Sequence, residues 1–289
     1  VNFTVVSGTG NLFALFDGIA GGIPEDPRLA ALELCAAALG RIATVRTAVD
    51  PATRLDGVLL LLPGREGAAC RMVVYNADGS RPETCGNGLR VVAMAARASG
   101  HAAADEFTIE TDAGPRGARV LRADPADPNS AIVGAEIAMG EPRVGERRVT
   151  LKTDFGAVEA TLVDLGNPHC VVFVRDERET PVEKLGPALE RHRHFPARTN
   201  VEFVSVRPEG LHMRVWERGV GETAACGTGA CAAAIAAAVT QRAGTPVDVH
   251  VPGGLLHVAW EGGGEVRLSG SCETLGTAEW RAAKRTHRP

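Results

Sequence analysis

The chain has no run of roughly eighteen apolar residues, the length a membrane-spanning helix needs, so it offers no such helix. It opens on Val1-Asn-Phe-Thr-Val-Val6, which reads as a strand and not as a basic segment ahead of an apolar core, and a protein that stays in the cytosol is expected. The formal net charge is only -4, which supplies no basic surface for nucleic acid or for an acidic membrane, and neither is expected as a partner. Cys-x-x-Cys and His-x-x-x-His are both missing. His192 and His194 stand between Arg191 and Arg193, a pattern that reads as a solvated basic loop, so no metal is expected. The seven cysteines are an odd number scattered over a long chain, which is a poor disulfide framework; reduced thiols are the expectation.

What is there describes a globular protein with a sizeable core: 289 residues, 45% apolar and 23% charged, enough for one large domain or two ordinary ones. Strand-like segments dominate. Residues 1–6 and 12–16 flank the turn Ser7-Gly-Thr-Gly-Asn11, and Val58 to Leu62 and residues 69–75 follow. A helix is expected over 27–40, with Leu29, Leu32, Cys35, Ala36 and Leu39 on its buried stripe and Gly40 as its stop. Further strands are expected at 107–112, 118–122, 132–139, 149–151, 155–163, 171–174, 200–204, 211–216, 247–251, 255–260 and 265–269, with a second helix at 181–191.

Two stretches stand out. Strand, glycine turn, Cys85-Gly-Asn-Gly88 and an alanine-rich helix ending at Gly100 occur once; strand, glycine turn, Cys226-Gly-Thr-Gly229 and a helix running to Val239 occur again 141 positions later. On that offset Asn76 falls on Glu217, Gly86 on Gly227 and Gly88 on Gly229, so the chain reads as an internal repeat. The expected fold is α+β, in two pseudo-symmetric domains that each wrap a mostly antiparallel sheet around a central helix. Residues 1–128 with about 272–289 are expected to form one domain and 129–271 the other, the Asp124–Ser130 turn cluster marking the boundary.

A helix start leaves backbone N–H groups unpaired and carries about half a positive charge, so each cysteine is offered at a site suited to an anion, and its thiol is expected to ionise more readily. If the halves pack face to face, the two sulfurs flank one ligand. One thiolate then removes an α-proton while the opposite thiol returns one, and amides at both helix starts stabilise the enolate-like carboxylate. Two buried thiols in matching helix caps remain the plainer alternative, and packing is the reading of Cys35, Cys70, Cys170, Cys231 and Cys272.

Asn76-Ala-Asp-Gly79, Cys85-Gly-Asn-Gly88, Gly166-Asn-Pro-His169, Thr199-Asn-Val-Glu202, Glu217-Arg-Gly-Val-Gly-Glu-Thr223 and Ala225-Cys-Gly-Thr-Gly229 resemble, in this order, the signatures of the diaminopimelate epimerases. The resemblance implies a cofactor-independent enzyme, a homodimer, that interconverts LL- and meso-diaminopimelate on the way to lysine and peptidoglycan. Cys85 and Cys226 are then the proton donor and acceptor. Gly86, Asn87, Gly227 and Thr228 hold the reacting carboxylate, while Asn11, Asn76, Asn167, Asn200, Glu217 and Arg218 line the pocket. Arg218 suits a carboxylate and Glu217 an ammonium; His169 and Glu217 are candidates for tuning the thiols. The chain departs from the family at Leu12, where an aspartate is usual, and at Ala52-Thr-Arg-Leu-Asp-Gly57, where a glycine-rich loop is usual, so that loop is expected to run differently. A racemase of a histidine- or proline-type amino acid on the same fold, and a non-catalytic amino-acid binder, are the alternatives.

Overall fold

The structure, a computed structural model, describes residues 1–45, 49–83 and 85–282. It divides into two compact units, one formed by Val1–Ala135 with the residues from Cys272 on, the other by Glu136–Ser271. The division falls inside two strands, β8 (Ile132–Ala138) and β18 (Arg267–Glu279), not in the Asp124–Ser130 turns. Residues 283–289 of the expected first domain lie outside the described residues.

In the first unit β1 (Asn2–Gly8) and β2 (Asn11–Asp17) form a hairpin whose two turn residues, Thr9 (φ 49°) and Gly10 (φ 82°), are both left-handed, the backbone a two-residue hairpin demands. The chain continues through α1 (Pro27–Ala36), α2 (Leu39–Ile42), β3 (Thr44–Val45), β4 (Gly57–Pro63), β5 (Cys70–Asn76), α3 (Gly86–Ala98), β6 (Glu106–Thr111) and β7 (Gly114–Arg122). β2 pairs parallel with β4, β4 antiparallel with β5, β5 parallel with β6 and β6 antiparallel with β7. The leucine run of β4 is continuous because the strand is buried on both faces, between strand neighbours on either edge.

The second unit repeats this order. After β9 (Arg143–Val144) and β10 (Val149–Thr153) come β11 (Gly156–Asp164), β12 (Pro168–Phe173), α4 (Val182–Glu190), β13 (Asn200–Arg207), β14 (Gly210–Glu217), β15 (Gly221–Thr223), α5 (Gly227–Val239), β16 (Val247–Val251) and β17 (Gly254–Ala259). The β11–β12 pair is antiparallel, β12–β13 parallel, β13–β14 antiparallel, β14–β16 parallel and β16–β17 antiparallel, the same sequence of pairings as in the first unit. α3 and α5 begin 141 positions apart and are each 13 residues long. The α+β class and the internal repeat are therefore features of the molecule.

Each long helix is the centre of its unit. α5 packs against β11, β12, β13, β14, β16 and β17, and its alanine side chains let the sheet close around it while keeping a strong helix preference. α3 packs against β1, β4, β5 and β7. The outer helix α4 is anchored by Val182 and Leu189, whose complete burial contributes about 1.5–3 kcal/mol each. Among the described residues no helix is long and apolar enough to cross a membrane.

Three segments differ from the sequence reading. The helix expected over 27–40 ends at Ala36 and buries Ala30, Ala31, Leu34 and Cys35; Leu29 is half-buried, while Leu32 and Ala36 are exposed. Gly40 lies inside α2, because Leu39 N–H and Gly40 N–H turn to Thr53 O (2.7 Å) and Pro51 O (3.0 Å) and pull the chain out of the first helix. β12 starts at Pro168, so His169 and Cys170 are strand residues and not part of a turn. The strand expected at 265–269 does not stop there, since β18 runs from Arg267 to Glu279; its first part pairs with β17 and its later part with β1.

Candidate active site

In the first unit Cys85 is the N-cap of α3. Its extended backbone (φ -146°, ψ 111°) turns Sγ back over the first helical turn, where it accepts from Gly88 N at 3.4 Å. Gly86 and Asn87 follow it, and Asn87 is buried with its carboxamide fixed at both ends: Nδ2 donates to Asn11 Oδ1, and Oδ1 accepts from Arg90 Nη2 at 2.7 Å. Arg90 is wholly buried. It also donates to Thr9 Oγ1 at 2.8 Å, which holds the left-handed Thr9 in a conformation a β-branched residue rarely takes, and it reaches the Cys272 thiol. Asn11, at the start of β2, is bonded in turn to the Asp56 carboxylate.

Asp56 is the counterpart of these groups in the altered loop. Leu12 N donates to Asp56 Oδ2 at 2.7 Å and Asp56 N to Leu12 O at 2.8 Å, while burial raises the carboxyl pKa against the pull of the Leu12 and Asn11 hydrogen bonds. The Leu12 side chain is part of the core with Leu55 and faces inward. The loop is built on Asp50, whose Oδ1 accepts from Ala52 N at 2.8 Å and whose carbonyl accepts from Thr53 N at 2.9 Å. Asn76, at the end of β5, is spent on its own turn: Nδ2 donates to Ser80 Oγ at 2.9 Å.

The second unit sets Cys226 at the N-cap of α5, ahead of Gly227 and Thr228. Its Sγ lies 3.5 Å from Thr228 Oγ1, which accepts from Asn167 Nδ2 at 3.2 Å. The parallel with the first unit is close: Asn11 beside its hairpin bonds the second residue after Cys85, and Asn167 beside its hairpin bonds the second residue after Cys226. His169 and Glu202 form a fully buried pair, Nδ1 to Oε1 at 2.7 Å, and His169 Nε2 faces Asn167 Oδ1 at 3.2 Å. Gly229 is a glycine because of this pair; a Cβ there would lie 2.9 Å from Glu202 Oε1 and 3.2 Å from the Cys226 Cβ.

Burial, then the charges of Glu217 and Glu202, push the Cys226 thiol well up, against the Thr228 and Gly229 hydrogen bonds. The expected ease of ionisation at a helix start is thus reversed for this cysteine: it is a thiol as it stands, since desolvation and two acidic neighbours outweigh the helix dipole. Glu202 is raised by burial, eased by His169. Asn200 Nδ2 donates to Pro168 O at 3.1 Å and its Oδ1 accepts from Arg218 N at 2.9 Å, while Glu217 Oε1 accepts from Thr223 Oγ1 at 2.6 Å. The exposed Arg218 has Nη1 on Ala197 O at 3.2 Å.

The structure thus joins Cys85, Gly86, Asn87 and Asn11 in one cluster, and Cys226, Gly227, Thr228, Asn167 and His169 in another, with Asn200, Glu217 and Arg218 at the ends of β13 and β14. Asn76, at the end of β5, is bonded to Ser80 within its own turn. Arg90 is given no role by the sequence; Thr9 and Asp56 are read there only as parts of a turn and a loop, and Glu202 only as part of the Thr199–Glu202 signature, its place in the apolar run Val201–Val204 being a second signal. A cavity of about 570 Å³ opens elsewhere, among Glu141, Arg147, Val239 and Trp260 at the C-terminal end of α5, away from Cys226. The remaining cysteines pack: Cys35, Cys70, Cys170, Cys231 and Cys272 are buried, and burial pushes Cys35 and Cys70 up to about 12.

Residues 3–144 and 161–275 match the sequence profile of the family described as diaminopimelate epimerase. The diaminopimelate epimerase of Desulforudis audaxviator is 40% identical over 97% of this chain and 99% of its own, and that of Moorella thermoacetica 38% identical over 90% and 91%. Among solved structures, a probable proline racemase from Agrobacterium radiobacter superposes with a TM-score of 0.71 over 99% of this chain and 94% of its own, at 17% identity, a likeness of fold.

Proposed function

Because the chain belongs to the diaminopimelate epimerase family and is an isomerase, we propose that it interconverts LL- and meso-diaminopimelate by moving a proton on and off one α-carbon with two cysteines. The observation that carries this reading is the duplicated N-cap: two cysteines 141 residues apart, each at the start of a buried helix and followed by a glycine and a polar residue tied to an asparagine of its own unit. One thiolate takes the α-proton. The opposite thiol delivers another to the other face, and the configuration inverts without a cofactor.

The amides of Gly86 and Asn87 and of Gly227 and Thr228 hold the reacting carboxylate as it gains enolate-like charge. Cys226, kept protonated by burial and by Glu217 and Glu202, enters as the acid, and Cys85 as the base. In the reverse reaction Cys226 must start ionised, and a bound ammonium beside Glu217 removes part of what opposes that. Asn11, Asn76, Asn167, Asn200, Glu217 and Arg218 bind the substrate: Arg218 presents an exposed guanidinium for a carboxylate, and Glu217 a carboxylate for an ammonium. His169, locked to Glu202, positions the Cys226 cluster through Asn167.

A homodimer in the cytoplasm, with a small amino acid as its ligand and neither nucleic acid nor membrane as partner, completes the proposal. Incubation with LL-diaminopimelate in deuterated water should place deuterium at the α-carbon and generate the meso isomer. Exchange on a monocarboxylic amino acid, with none on diaminopimelate, would overturn the substrate.

A further inference from the structure

Glu190 lies on α4, outside both cysteine clusters, and is only 2% exposed. A buried acid needs a reason, since removing a carboxylate from water is costly unless its oxygens are hydrogen-bonded. Here the two oxygens are spent on one turn: Oε2 accepts from Trp216 Nε1 at 2.8 Å and Oε1 from Gly219 N at 3.0 Å. Trp216 and Gly219 are the residues on either side of Glu217 and Arg218. Four positions before Glu190 on the same helix, Gly186 lets the indole lie flat against the helix, as a Cβ there would come within 2.6 Å of Trp216 Cγ and Cδ2. Arg198 Nη1 approaches Glu190 Oε1 at 3.5 Å, and Gly219 takes the left-handed backbone (φ 78°) that turns its N–H inward. Burial works against the charged form of Glu190, but the bonds from Trp216 and Gly219 and the charges of Arg191 and Arg198 outweigh it, so the carboxylate is the stable species.

We infer that Glu190 is a positioning residue for substrate recognition: by strapping Trp216 and Gly219 it sets the direction of Glu217 and Arg218 and so determines how tightly the charged groups of the substrate are held. The inference rests on the proposed function, in which Arg218 takes a substrate carboxylate and Glu217 an ammonium. The strap bonds the residues that flank Glu217 and Arg218 and neither cysteine, so its first effect is on binding.

The test is steady-state epimerisation of LL-diaminopimelate by the full chain and by Glu190→Gln. The carboxamide keeps the shape but turns an NH2 toward one of the two N–H donors, so one bond is lost. KM should rise about tenfold with kcat within about twofold, a loss near 1.4 kcal/mol, in the range for one hydrogen bond to a charged group. A merely structural role would lower the active fraction, so that kcat falls at unchanged KM; that result, or unchanged kinetics in a folded variant, overturns the inference. Should Glu190→Gln not fold, Trp216→Phe removes the indole N–H and its bond while leaving an aromatic ring against Gly186, and an about threefold rise in KM is expected, no rise being the refuting result. A parent enzyme inactive on diaminopimelate refutes the proposed function and this inference with it, whereas an active parent with an unaltered KM in the variants refutes the inference alone.

Discussion

Gly229→Ala tests the rigidity of the wall behind Cys226. The added methyl would sit 2.9 Å from Glu202 Oε1 and 3.2 Å from Cys226 Cβ. A carboxylate oxygen at the end of a flexible side chain could ordinarily swing away at little cost. Glu202 cannot: it is completely buried, and the same oxygen holds His169 Nδ1 at 2.7 Å. Overpacking of this kind costs about 1–3 kcal/mol, and losing the His169 bond instead costs a comparable amount, roughly 1.5–3 kcal/mol for a charged partner. Alanine's better helix preference returns only about 0.5–1 kcal/mol. The net expectation is a destabilisation of about 1–2 kcal/mol, read as a lower urea midpoint, with impaired α-proton exchange because Cys226 is displaced. Gly244→Ala is the control, since nothing lies within 4 Å of a Cβ there, and it should be neutral or stabilising by up to about 1 kcal/mol. A Gly229→Ala protein as stable as its parent, with undiminished exchange, would show that Glu202 is free to retreat and that the reasoning about the pair is wrong.

Cys85→Ala and Cys226→Ala should each reduce epimerisation by at least about a hundredfold while circular dichroism stays unchanged, and near-normal turnover in either would end the two-thiol mechanism. In a Cys85→Ala background, alkylation of Cys226 followed by mass spectrometry should begin at a lower pH when Glu217 is replaced by Gln, because Glu217 holds the thiol up; identical profiles would refute that electrostatic coupling. Asp105 is held down to about 2 by its bonds to Arg122 and then Arg97. Its folded pKa lies below the unfolded value, so its contribution is complete above about 4 and fades as pH falls toward 2. Asp105→Asn should lower stability at neutral pH and close on the parent as pH falls from about 4 through 2; curves that stay parallel over that fall would contradict the assignment.

The sequence was most informative where the chain says the same thing twice. Cys-Gly-x-Gly before an alanine-rich helix carried both helix starts, and the common offset carried the repeat, because helix caps and glycine turns are local events written in adjacent residues. The first helix was overdrawn since its stop is not local: Leu39 and Gly40 are drawn to Thr53 and Pro51, more than ten positions ahead. The buried charge of Arg90 and of Glu202 is not legible in the sequence for a related reason. A charge on a helix or strand ordinarily marks a solvated face, and what lets these two stay inside are Thr9 and Asn87 for the arginine and His169 for the acid, of which only Asn87 is close in the chain. Leu12 looked like a change at the ligand, yet its side chain is in the core and its backbone meets Asp56.

β18 has a bearing on synthesis. Residues 272–279 are the antiparallel neighbours of β1, whereas the second unit is one uninterrupted stretch, Glu136–Ser271. On a ribosome the earlier-made unit therefore lacks a border strand until residues 272–279 have been made and released. Until then β1 has β2 on one side and leaves the tunnel with its other edge open, waiting for β18.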